Sequence, residues 1–166
     1  MLNDFILPEG KLYVGEEGLA LIPAISAVIG RFRSENRPVI YVCDQHRQDD
    51  AEFQMFPPHC LKDSTGAEVV AELAPRAGDV VIRKRRYSAF FGTELDLTLR
   101  EAGISELVLA GVCTNICVLY TAADARNLGY AVTLPKDCVA SFDPSAHLFA
   151  LGQMKDVLGV KVEEVS

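Results

Sequence analysis

The sequence predicts an α/β fold, a doubly wound and mainly parallel sheet with helices on both faces in three α/β/α layers. Short β-branched runs alternate with segments of helical periodicity along the chain. Most of the runs are continuously apolar rather than alternating, as expected of strands covered on both faces. Three of the helical segments stop at a glycine, the usual signal just past a helix C-terminus.

The elements follow in chain order. Pro23 suits the first turn of a helix running to about Glu35, with Ile25, Val28, Ile29 and Phe32 at helical spacing. Strands are predicted at Val39–Cys43 after Pro38 and at Val80–Arg83 after Gly78-Asp79. A helix over Glu94–Ala102 ends at Gly103, and a strand at Glu106–Ala110 follows Ile104-Ser105. Asn115–Leu128 reads as a helix ending at Gly129, Ala131–Leu134 as a strand ending at Pro135, and Pro144–Leu158 as a helix ending at Gly159. A strand over Val160–Val165 closes the chain. No repeat or linker divides it, so residues 1–166 are expected to form one domain.

Composition narrows the function. Hydrophobic residues make up 49% and charged residues 23%, a globular mix, and the net charge of −7 argues against a nucleic acid or an anionic membrane as partner. The longest apolar stretch, Leu19–Gly30, is interrupted by Pro23 and Ser26 and is too short to span a bilayer. The opening MLNDFILPEG lacks a signal-peptide pattern, and five cysteines, an odd number, read as free thiols in a reducing compartment. The expected location is cytoplasmic.

Two stretches carry chemistry. In Gly111–Ala125 (GVCTNICVLYTAADA) a strand gives way to a helix, and Cys117 falls in its first turn. Unpaired N–H groups and the helix dipole there favour thiolate, and ligands of open α/β sheets bind beyond such strand ends. The plainer alternative is a buried structural cysteine. Cys113, four residues earlier, also suggests a metal pair or a redox pair with Cys117, but the spacing is C-x-x-x-C and no further ligand is near in sequence.

The second stretch is the long segment from Asp44 to Glu68, where loops of such length are usually functional. Asp44 and His46 sit just past a strand end, with Glu52 and His59 further along. Two imidazoles and two carboxylates suit Zn²⁺, Mn²⁺ or Fe²⁺, the alternative being a solvated loop with incidental acids. His147, on a helix, reads as a surface or satisfied histidine. A weaker stretch, Arg83–Thr93 (RKRRYSAFFGT), sets four cations at a strand end, any one of which could stabilise a nearby thiolate.

These motifs resemble those of the isochorismatase-like cysteine hydrolases, and within them the metal-dependent nicotinamidases, over essentially the whole chain. The most specific parts are GVCTNICVLYTAADA, the D-x-H…FPPHC…TGAE loop and K-x-x-Y-S-A-F. The resemblance implies Cys117 as nucleophile, Lys84 as catalytic lysine and a cis Val112–Cys113 peptide. It implies an oxyanion hole from the backbone N–H groups of Cys113 and Cys117. It further implies Asp44, His46 and His59 as metal ligands, with Glu52 as a fourth, acidic ligand. Phe5, Phe56 and Phe91 would wall a flat pyridine ring, although each could equally be a core phenylalanine.

The implied reaction is hydrolysis of nicotinamide to nicotinate and ammonia, a step of NAD salvage. It would run through a cysteine thioester, with a divalent metal, zinc first and manganese or iron as alternatives. The partner is a small amide, and a homo-oligomer is consistent with the family. The family's catalytic Asp closes a first strand in a pattern like D-M-x-N-D-F, whereas Met1-Leu2-Asn3-Asp4-Phe5 begins one residue after that position. Asp4 matches the second acid, and the expected reading is a chain that starts late and lacks the first, central strand. Three other functions are weighed against this one: a different small-amide or isochorismatase-type hydrolase, an inactive metal-binding homologue, and a thiol redox protein.

Overall fold

The computed structural model describes residues 1–164. Its strands are β1 (Ile40–Asp44), β2 (Val80–Lys84), β3 (Glu106–Val108), β4 (Gly111–Val112), β5 (Ala131–Pro135), β6 (Val139–Ala140) and β7 (Lys161–Glu163). All strand pairs are parallel: β1 with β2, β3 with β5, β5 with β7, and β4 with β6. The run expected at Glu106–Ala110 thus splits into β3 and β4. The Leu109 N–H donates to the Thr133 carbonyl, and pairing resumes at Gly111 against Val139. Val165 of the closing strand lies outside the described residues.

The helices are α1 (Asn3–Ile6), α2 (Glu16–Ala20), α3 (Ile22–Ser34), α4 (Leu95–Glu101), α5 (Leu119–Asn127) and α6 (Pro144–Asp156). They divide between two apolar cores. Leu95 and Leu99 of α4, Ala122 and Ala125 of α5, and Ala150 and Met154 of α6 pack with Val132 and Leu134 of β5 on one side. Ile6 of α1 and Ile25 and Val28 of α3 pack with Val112 and Ala140 on the other. Two faces covered by helices give the three-layer α/β/α arrangement, which accounts for continuously apolar strands. None of the described helices is long and apolar enough to cross a membrane.

The sheet is divided. Along its middle, between the free edges of β1 and β3–β4, runs an apolar cleft. On the α3 side a cavity of about 180 Å³ is walled by Ile40, Val42, Ile25, Val28 and Val108. On the α4 side another of about 180 Å³ is walled by Ile40, Val42, Leu95, Leu99 and Val108. At its head, a cavity of about 150 Å³ touches Met1, Lys84, Val112 and Cys117. Ile40 faces the β3 end of the cleft while Asp44 and Val112 share the pocket beyond its head, so the two edges run parallel.

The segment between β1 and β2 is held down by three short 3₁₀ turns and by the N-terminal turn. Asp4 anchors it: Oδ2 accepts from the Cys60 N–H at 2.6 Å and Oδ1 from the Lys11 N–H at 3.2 Å. Gly66 makes that approach feasible, because a Cβ there would stand 2.2 Å from Asp4 Oδ2. Gly66→Ala should therefore push Asp4 off Cys60 and cost about 1–3 kcal/mol, as overpacking does. A calorimetric Tm lowered by about 2–4 °C per kcal/mol is the expected result.

Candidate active site

The parallel register of β1 and β2 sets Asp44 opposite Lys84. Both side chains are buried, and Lys84 Nζ donates to Asp44 Oδ1. The same Nζ donates to the Arg86 carbonyl at 2.8 Å and lies 3.5 Å from Cys117 Sγ. Arg83 is exposed, and Arg85 and Arg86 turn to Asp50, so among the cations of this stretch Lys84 is the one turned to the thiol. Burial alone would lower the Lys84 pKa, but a charged Cys117 and Asp44 outweigh it and hold the ammonium at about 12.

Cys117 sits in a π-helical turn, Thr114–Val118, where the Cys113 carbonyl accepts from the Val118 N–H five residues on. The helix expected from Asn115 begins as this wider turn and becomes α-helical only at Leu119, a geometry frequent at functional sites. The Val112–Cys113 peptide is cis. The expected lowering of the Cys117 pKa does not hold. Burial pushes the thiol up, against the pull of Lys84 and with a further push from Asp44. Desolvation at the head of the sheet outweighs the dipole argument. Cys113 is buried as well and pushed up to about 12, first by burial and then by its neighbour Cys117.

Asp44, His46 and His59 offer ligand atoms that all lie within 4.8 Å of one another. His59 Nδ1 donates to the Pro57 carbonyl at 2.8 Å, and His46 Nδ1 to Asp50 Oδ2 at 3.2 Å. Because a carbonyl and a carboxylate only accept, each neutral ring carries its lone pair on Nε2. Glu52 Oε1 lies 3.8 Å from His46 Nε2 and 3.9 Å from His59 Nε2. Burial pushes the Glu52 carboxyl above its ordinary 4.5, against the two imidazoles and with Asp44 adding to the rise. His46 Nε2 and Glu52 Oε2 are buried without a hydrogen-bond partner. The orphaned Nε2 of buried His46, set among N and O ligand atoms of His59 and Asp44, fits a divalent metal ion, while Glu52 stands beside that group with Oε2 3.9 Å from Arg86 Nη1.

A pocket joins the two halves. Asp44, Glu52, His59 and Cys117 line it together with Phe5 and Phe56. The ring centroids of Phe5 and Phe56 stand 5.6 Å and 6.3 Å from that of His59. Phe91 is not brought there: it is 65% exposed, beside Tyr87, Tyr120 and Asp124 on a shallow surface. Sequence reasoning did not single out Leu12, Ile116 or Phe142, which also line the pocket. Phe142 follows Val139–Ala140, a two-residue strand too short to leave a pattern. The pocket is narrow, with a cavity volume of about 30 Å³, and Phe142 at its rim is 41% exposed.

His147 is a satisfied histidine, as expected, and it braces the Thr114–Val118 turn. Its Nδ1 is 2.9 Å from Thr114 Oγ1, and Thr114 is fully buried. Burial lowers its pKa from the ordinary 6.5. A histidine whose pKa is lower in the folded state binds fewer protons there, so its contribution is present above pH 6.5 and lost as the pH falls. His147→Gln should flatten that acid loss, read as a smaller drop in urea midpoint below pH 6.5 than in the parent.

The geometry agrees with what known proteins share with this chain. The family profile of the Isochorismatase domain matches residues 1–163. The crystal structure of nicotinamidase PncA from Bacillus subtilis superposes with a TM-score of 0.94 at 38% identity, covering 98% of this chain and 94% of that one. A pyrazinamidase of Pyrococcus horikoshii, solved in complex with zinc, gives 0.93 at 32% identity over 99% and 95%. A probable inactive nicotinamidase of Arabidopsis thaliana is 34% identical, over 97% of this chain and 87% of its own length.

Proposed function

The chain belongs to the isochorismatase family and is an amide-cleaving hydrolase of it, and from that premise we propose that it converts nicotinamide to nicotinate and ammonia through a thioester on Cys117. The observation that carries this reading is that Asp44 and His59 of the metal-competent cluster line one pocket with Cys117, Phe5 and Phe56, while Lys84 reaches from Asp44 to the sulfur. A resident divalent ion held by Asp44, His46 and His59, with Glu52 beside it, would act as a Lewis acid that binds the pyridine nitrogen; zinc is the first choice, by analogy with the Pyrococcus horikoshii complex.

The chain's own residues supply the rest. Phe5 and Phe56 hold the ring, and the carboxamide lies towards Cys117. Cys117 Sγ attacks the amide carbon as its proton leaves, and the developing oxyanion takes hydrogen bonds from the backbone N–H groups of Cys113 and Cys117. Lys84, fixed by Asp44 and the Arg86 carbonyl, stabilises the thiolate through the attack. The C–N bond breaks, ammonia takes a proton and leaves, and water hydrolyses the thioester to nicotinate and free thiol. The family resemblance assigns the proton from Cys117 to an aspartate at the end of a strand.

The test is ammonia release from nicotinamide, with and without chelator. Activity lost on chelation is the expected outcome. Cys117→Ala should abolish it, by a factor on the order of 10⁶ as for other nucleophile removals. His59→Ala should lower metal content and weaken substrate binding. An inactive chain that still binds metal would favour an inactive homologue, the reading that the Arabidopsis thaliana relative exemplifies.

A further inference from the structure

One buried carboxylate near the site takes no part in the reaction described above. Asp50, its side chain fully buried, begins the 3₁₀ turn Ala51–Gln54 and accepts four hydrogen bonds. Oδ2 takes one from His46 Nδ1 at 3.2 Å and one from Arg85 Nε at 2.8 Å. Oδ1 takes one from the Glu52 N–H at 3.1 Å and one from Arg86 Nη1 at 2.9 Å. Both oxygens of this buried carboxylate are thus satisfied, two of the four bonds coming from guanidinium groups.

The partners belong to the two halves of the site. His46 is on the metal side, and the Glu52 N–H fixes the backbone of the acid next to it. Arg85 and Arg86 directly follow Lys84 at the end of β2, and the Arg86 carbonyl is the acceptor that holds Lys84 Nζ within 3.5 Å of Cys117. We propose that Asp50 is a positioning residue that locks His46 with Nε2 aimed at the metal and, through its two arginines, holds the backbone that anchors Lys84. The proposal rests on the metal reading given above. A carboxylate behind a ligating histidine raises its basicity and fixes its tautomer, and losing such a partner costs roughly 10–100-fold in metal affinity.

Asp50→Asn keeps the shape and one acceptor oxygen, so a packing role alone would survive it. Zinc affinity, measured by competition with a chromophoric chelator, is expected to fall roughly 10–100-fold. Alkylation of Cys117 by iodoacetamide at fixed pH should also slow, because Lys84 is less firmly held beside the sulfur. Should the single variant fail to fold, Asp50→Asn with Arg85→Gln removes the cation left unpaired and still lacks the carboxylate on His46; the same loss of zinc affinity is expected. His46→Ala serves as reference. Zinc affinity lost in His46→Ala but unchanged in folded Asp50→Asn overturns this inference and leaves the metal reading standing. Affinity unchanged in His46→Ala overturns both.

Discussion

The site depends on the parallel register that sets Asp44 opposite Lys84 at the ends of β1 and β2. A buried carboxylate–ammonium pair is a weak source of stability, since desolvating two charges offsets most of their attraction. Its value here is geometric. Lys84 Nζ has donors to spare, and after Asp44 it reaches the Arg86 carbonyl and the sulfur of Cys117. Asp44 in turn has an oxygen within reach of both imidazoles. A slip of one residue in the register would turn one of the two side chains to the opposite face of the sheet and separate the two halves of the site.

That arrangement explains why the Cys117 thiol is pushed up rather than down. Position at the start of a helix favours thiolate in general, but Cys117 is desolvated and faces Asp44 beyond the lysine. The single ammonium is already committed to a carboxylate, so its pull on the sulfur is partial. A neutral resting thiol is less open to oxidation and to capture by soft metals than a thiolate would be. Charge then develops on the sulfur only as its proton is removed, which makes a base at the head of the cleft a requirement of the proposed chemistry.

Much of the fold was legible locally. Val39–Cys43 and Val80–Arg83 differ from the observed β1 and β2 by one residue, and the helix expected at Pro144 ends two residues early, at Asp156. β-Branched runs, proline at helix starts and glycine past helix ends are local signals, and tertiary packing agrees with them here. The misses have non-local causes. α1 and α2 have four and five residues, too few to show a period. The break between β3 and β4 and the π turn at Cys117 come from how the strand end meets β6 and α6, which no window of sequence contains.

The site divides along the same line. Asp44, His46 and His59 could be picked out because metal-ligating residue types are scarce and cluster in one segment, and the structure brings these three together with Glu52 beside them; Lys84 stood out only through the resemblance, since its neighbours are equally basic. Phe91 shows the limit of matching by position: an aromatic in the right motif ends on the surface, while Phe142, from a stretch with no pattern, lines the pocket. Asp50 was hidden for a different reason. In sequence it is one acid in a run of polar residues, and its four partners come from two segments separated by some thirty-five positions. Ligands announce themselves by type, whereas the groups that aim them are set by topology, so the supporting shell of a site is the part that only a structure supplies.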